Sequence, residues 1–194
     1  MRHRELGIAV ASSLLLILPL INLPLLGETD LELVRAVQSH RSFPLDLLFL
    51  SIYFSFYPIL PLYLYRRRSY IVPQIVPLLL FLAVTYLMVR PLNIFSERAP
   101  RFAGAGDVIS NYVPFHFLWR ETWCFPSEHL VITSFMAFLS RRMFFYLILT
   151  WISTVYIGDH YPSDIIVNSL IGFLLSQLTL QIQKKLYPAG FRSG

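Results

Sequence analysis

The sequence predicts an all-α, polytopic membrane protein: six transmembrane helices, an interfacial helix and a long outer loop, in one domain over residues 1–194. Three observations predict it. The chain is 56% hydrophobic and only 14% charged, with mean hydropathy +0.59. Soluble domains are about 45–50% apolar and about 25% charged. Six apolar runs divide the chain, and the basic residues gather in alternate connections between them.

The runs cover residues 7–26, 44–64, 71–89, 129–140, 143–157 and 164–182. A spanning helix needs about 20 residues, range about 17–25. The first, second, third and sixth runs meet that requirement alone. The fourth and fifth, parted by Arg141 and Arg142, need Phe125 and Tyr156 to complete their length, or a thinned bilayer; a single re-entrant hairpin is the rival reading. Arg2 and Arg4 ahead of an apolar core imitate a signal peptide, but "LINLPLLGE" has no small-x-small cleavage site, so the first run is read as a span. Pro19, Pro24, Pro58, Pro61, Pro73 and Pro77 lie in or beside the first three spans and are expected to kink them.

Charge sets the orientation. With the N-terminus inside, ten of the 16 basic residues fall on inner segments with Glu5 as the one acid. That bias marks the cytoplasmic side. The expectation is a cytoplasmic (inner) membrane protein with both termini in the cytoplasm. The +5 net charge therefore reads as topology, with no nucleic-acid partner. A lone cysteine, Cys124, leaves no internal disulfide or C-x-x-C metal site.

The outer segments are 27–43, 90–128 and 158–163. In the first, Thr29 and Glu32 form a capping-box pattern ahead of an amphipathic helix lying on the membrane surface; His40 belongs to that surface. The second carries Arg90, Arg98 and Arg101, then Tyr112, Phe115, Phe117, Trp119 and Trp123. Such aromatics either anchor the chain at the interface or line a lipid entrance, and His116 sits among them as an interfacial residue. The third, "YIGDHYPSD", holds Asp159, His160 and Asp164. His129, His160 and Asp164 thus stand at the outer ends of spans four, five and six. Ionisable groups at that depth are functional-site candidates.

These residue types suit phosphate-ester chemistry. The turn "FPSEH" opens a helix whose free N–H groups bind anions, and the Ser127 hydroxyl can donate to the same oxygens. The arginine fork matches phosphate, and Arg90 and Arg98 can share one group. A neutral histidine can attack phosphorus to give a phosphohistidine. His160 fits that role, with Asp164 to hold its other ring nitrogen and His129 to protonate the leaving oxygen. Pro162 disfavours helical geometry at Tyr161, which leaves His160 in the loop.

"FPSEH" followed by "STVYIGDHYPSDIIV" resembles the type 2 phosphatidic acid phosphatase superfamily of membrane lipid phosphatases, whose pattern is K-x6-R-P, P-S-G-H and S-R-x5-H-x3-D. The resemblance covers roughly residues 90–170 by motif. It implies a six-helix membrane fold and hydrolysis through phosphohistidine without metal or cofactor. It implies His160 as nucleophile, Asp164 as its partner, His129 as acid and Ser127 as phosphate ligand. Three departures stand out. Arg90 replaces lysine, with Arg98 one residue late and Ala99 before Pro100. Glu128 replaces glycine. Thr154 replaces arginine. Arg101 or Arg120 can compensate for lost charge; Glu128 either pairs with an arginine or selects a cationic substrate group.

A serine–threonine pair at 153–154 also resembles the lipid phosphotransferase branch, including inositol phosphorylceramide synthases, where an alcohol replaces water. The resemblance implies a membrane lipid phosphate as substrate: a polyprenyl diphosphate, phosphatidylglycerophosphate, phosphatidic acid or lipid A 1-phosphate. Two rivals remain: a catalytically impaired protein of the same fold, and a metal site built from His129, His160 and Asp164.

Overall fold

The computed structural model describes residues 24–89, 112 and 126–187, and among them every regular element is helical. In chain order these are α1 (Pro24–Gln38), α2 (Phe43–Phe54), α3 (Phe56–Arg66), α4 (Ile71–Val84), α5 (Glu128–Leu139), α6 (Phe144–Tyr156) and α7 (Pro162–Leu186). Most of the first apolar run, and the second outer segment apart from Tyr112 and residues 126–128, lie outside the described residues.

Three described helices are long and apolar enough to cross a membrane: Phe43–Arg66, Arg68–Leu87 and Pro162–Leu186. The first joins α2 and α3 with one interruption, at Ser55. Pro58 has no N–H for the Phe54 carbonyl, while the bonds on either side, Ser55 N–H to Ser51 and Ile59 N–H to Ser55, are kept. At the end of α4 the helix widens into a π turn over Thr85–Val89.

The fourth and fifth predicted spans are shorter than a bilayer. α5 has 12 residues, about 18 Å at about 1.5 Å each, against about 30 Å of hydrocarbon. It stops because Ser140 is extended, φ −147° and ψ 111°, before the Arg141–Met143 turn. Among the described residues there are thus three full-length helices and two short ones, the short pair matching the two short apolar runs, while most of the first predicted span lies outside them.

The first outer segment also differs from expectation. α1 runs unbroken through Gly27 and Thr29, so the capping-box pair starts no helix. Thr29 and Glu32 are exposed positions within the helix. The opposite face decides, because Val34 is buried against Val155 and Tyr161.

Polarity is inverted relative to a soluble protein. Leu79 and Leu80 are more than half exposed, whereas Gln74 and Thr85 are 1% exposed. A wide outward apolar surface needs a lipid environment. The buried residues of α7 are Asp164, Val167, Asn168, Gly172, Ser176, Thr179 and Gln183; all but Val167 are small or polar, the kind of stripe that lets membrane helices approach closely. α5 is buried continuously from Leu130 to Ala137 and lies against that stripe. The contact is tight at Gly172: a Cβ there would fall 2.5 Å from the Val131 carbonyl oxygen and 2.8 Å from the Phe135 nitrogen. This crossing fixes the start of α5 relative to the start of α7. Phe56, Tyr63, Leu78, Ile132, Phe135 and Met136 form the principal apolar core beside it.

Candidate active site

The C-terminus of α6 builds the loop that carries His160. Gly158 takes φ 78°, the left-handed region that glycine enters without steric cost. The Gly158 N–H bonds the Val155 carbonyl and the Asp159 N–H bonds that of Thr154, at 3.1 and 3.0 Å. These two bonds are a Schellman closure. The His160 N–H also reaches the Thr154 carbonyl, at 3.3 Å. Thr154 therefore anchors the loop through its backbone. Its side chain is fully buried, and its hydroxyl donates to the carbonyls of Thr150 and Trp151 on its own helix.

α7 begins one residue beyond Tyr161, with Pro162 in its first turn, where a missing N–H costs nothing. Two carboxylates satisfy the exposed N–H groups of this turn. Asp164 accepts from the Tyr161 N–H at 3.0 Å. Asp30, from α1, accepts from the Ser163 N–H at 3.0 Å and from the Ser163 hydroxyl. Asp30 is 4% exposed, so α1 contributes directly to this end of the bundle.

The His160 imidazole is 4% exposed and lies between two carboxylates. Its Nε2 is 3.2 Å from Asp159 Oδ2, and its Nδ1 is 3.9 Å from Asp164 Oδ2. Sequence reasoning selects Asp164 as the partner and leaves Asp159 without a role. The shorter contact is to Asp159.

The Pro-Ser-Glu-His turn meets this loop through Asn168. Asn168 Oδ1 accepts from the Ser127 N–H at 2.9 Å, and its Nδ2 donates to the Asp164 carbonyl at 2.7 Å. Ser127 is the N-cap of α5, accepting from the Leu130 N–H at 3.4 Å. One buried amide thus ties the two predicted motifs together.

His129 stands in an aromatic surround. Its ring stacks on Tyr53 at 4.6 Å, with Phe56 at 4.5 Å and Tyr57 edge-on at 5.4 Å. The Tyr53 hydroxyl donates to Asp159 Oδ2 at 3.1 Å, the same oxygen that faces His160. Tyr53 therefore links the two histidines, one through its ring and the other through its hydroxyl and Asp159. Glu128 is half-buried beside His129, and its charge acts with that of Asp159 on the Tyr57 hydroxyl.

Behind the site Asp46 gathers α2, α6 and the outer segment. It accepts from Tyr156 at 2.7 Å, Tyr112 at 3.0 Å and Arg41 at 3.1 Å. Of the predicted residues, the structure groups His160, Asp164, Ser127, His129, Glu128 and Thr154 at one end of the bundle. Arg90, Arg98 and Arg101 lie outside the described residues, as do Arg120 and His116; His40 is exposed on the surface. Among the described residues no three His, Cys, Asp or Glu side chains are grouped to hold a metal ion.

Tyr53, Asn168 and Asp30 were not predicted. Asn168 was findable, as an amide one turn beyond Asp164 in an apolar run. Tyr53 and Asp30 carry no local signal, because their partners are 106 and 133 residues away.

No curated protein matches the sequence. The crystal structure of Aquifex aeolicus LpxE is similar with TM-score 0.57 and 22% identity, over 78% of this chain and 94% of that one; the likeness is one of fold. The family profile described as the PAP2 superfamily matches residues 74–188, more than half of the sequence and all of the predicted motif positions. The chain belongs to the PAP2 superfamily.

Proposed function

We propose that this protein hydrolyses a membrane lipid phosphate monoester or diphosphate through a phosphohistidine on His160. The observation that carries the reading is the junction of the two helix starts. An imidazole flanked by two carboxylates heads α7, and Asn168 bonds that turn to the anion-binding start of α5.

In the scheme, phosphate oxygens meet the first N–H groups of α5 and the hydroxyl of Ser127, whose lone pair already serves Leu130. Arg90, Arg98 and Arg101 supply the remaining positive charge. Asp159 swings from Nε2 and stays on Tyr53, and the neutral ring takes the tautomer with its one proton on Nδ1, facing Asp164, so that Nε2 carries the lone pair. Nε2 attacks phosphorus, the bond from phosphorus to the lipid oxygen breaks, and His129 gives that oxygen its proton. Water then attacks the phosphohistidine, its proton passes to His129, and phosphate leaves with Nε2 restored. Asp164 holds the ring throughout. The scheme uses no metal or cofactor.

The charge pattern supports a cytoplasmic membrane location with the site on the outer side. That position suits a carrier or envelope lipid: a polyprenyl diphosphate, phosphatidylglycerophosphate, phosphatidic acid or lipid A 1-phosphate. Glu128 is proposed to select a cationic group on the substrate or to pair with an outer arginine.

The test is detergent-solubilised protein incubated with a panel of those lipids, with chelator present and with or without a lipid alcohol. Phosphate release is expected, and His160→Ala should lower it about a thousandfold or more. Unchanged turnover in that variant overturns the scheme. A new phospholipid formed only when alcohol is present assigns the transferase branch instead.

A further inference from the structure

At the end of the bundle opposite the histidines, a cleft of about 750 Å³ opens between the C-terminus of α3 and the turn joining α5 to α6. Its rim is Arg66, Arg67, Arg141 and Arg142, and its wall is apolar, formed by Ile59, Leu62, Tyr63 and Met143. Two arginines come from each of two turns, separated by more than seventy residues of sequence. Insertion topology requires basic residues on one side of the membrane; it does not require them to converge on a single concavity.

Among the described residues no carboxylate lines this cleft, and none of the four guanidinium groups forms an ion pair. Arg67 lies over the Tyr63 ring at 5.6 Å. Tyr63 supplies a second, independent feature. It is 7% exposed, and its hydroxyl has no hydrogen-bond partner among the described residues. A buried hydroxyl without a partner is unfavourable, and Tyr63 places one behind the wall of this cleft.

We infer that the cleft binds an anionic phospholipid of the leaflet facing the arginines. Its phosphate would sit among Arg66, Arg67, Arg141 and Arg142, with Ser140 as a further donor and the acyl chains against Ile59, Leu62 and Met143. Charge and greasiness meet here at one boundary, which a free anion would not need. The site is separate from the histidines, since α5 runs from His129 at one end to the Arg141 turn at the other.

The test uses full-length protein in nanodiscs of equal phosphatidylcholine and phosphatidylglycerol, released into the gas phase for native mass spectrometry. Wild type should retain phosphatidylglycerol in preference to phosphatidylcholine. The pairs Arg66→Gln with Arg67→Gln, and Arg141→Gln with Arg142→Gln, should each weaken retention by about tenfold or more, while the corresponding lysine pairs stay within about threefold. Equal retention of both lipids, or full retention by the glutamine pairs, overturns the assignment. Displacement by inorganic phosphate as readily as by phosphatidylglycerol would make the ligand a free anion and overturn its lipid identity. Wild type is also photolabelled with a diazirine-tailed phosphatidylglycerol, which does not depend on variants folding. Labels within 59–67 or 140–143 support the site, and labels only elsewhere overturn it.

Discussion

Gly172→Ala is the most direct probe of how the site is assembled. The added methyl would sit 2.5 Å from the Val131 carbonyl oxygen, 2.6 Å from Ser134 Cβ and 2.8 Å from the Phe135 nitrogen. Unstrained carbon contacts lie at about 3.5–4.0 Å. Two of the three obstacles are backbone, so no rotamer change relieves them, and α5 must separate from α7 by about 1 Å. Overpacking of this kind costs about 1–3 kcal/mol, which should lower the melting temperature in detergent by about 3–10 °C. The same displacement parts Ser127 and His129 from His160 and Asp164. Misplacement by about 1 Å can cost about a hundredfold in rate, so phosphate release should fall far more than the loss of stability explains. Adding Ser134→Gly removes one obstacle and should restore only part of both losses. A single variant with wild-type melting and wild-type turnover would refute the close helix crossing and the positional argument built on it.

Three smaller changes separate individual contacts. Tyr53→Phe keeps the stack on His129 but deletes the hydroxyl that holds Asp159; turnover should drop about tenfold with KM little changed, as expected for a lost bond to a charged group, and Tyr53→Leu should drop it further. Asn168→Ala strands the buried Ser127 N–H and should cost about 1–3 kcal/mol of stability, read by thermal melting, together with most activity. Thr154→Val should leave phosphate release within about threefold, because the hydroxyl bonds only carbonyls of its own helix; a loss beyond tenfold would show that Thr154 touches the phosphoryl group.

The fold was legible where composition alone decides it. Phe43–Arg66 and Pro162–Leu186 follow from unbroken apolar length, and the Pro58 interruption follows from a missing N–H. The shortness of α5 was legible too, because its apolar run ends at Ser140 against Arg141 and Arg142. The extended backbone of Ser140 that stops the helix was not. The capping pair at Thr29 and Glu32 misled because a local signal was outweighed. A cap is worth about 1 kcal/mol, which the buried Val34 and Asp30 contacts of α1 exceed.

The site divides along the same line. His160, Asp164, Ser127 and His129 were legible because their chemistry and their places at helix starts are local properties. The residues that make them a unit were not, since each acts across the bundle. Asp30 completes the first turn of α7 from α1, and Tyr53 joins Asp159 to His129 from α2. Asp159 shows how near a local reading can come and still fall short. It adjoins His160, yet neighbours in sequence seldom face each other, and only the Schellman turn at Gly158 folds its carboxylate back onto Nε2. A glycine directly after a helix is itself a sequence signal for that turn. In "YIGDHYP" the glycine therefore carries as much positional information as the histidine it precedes.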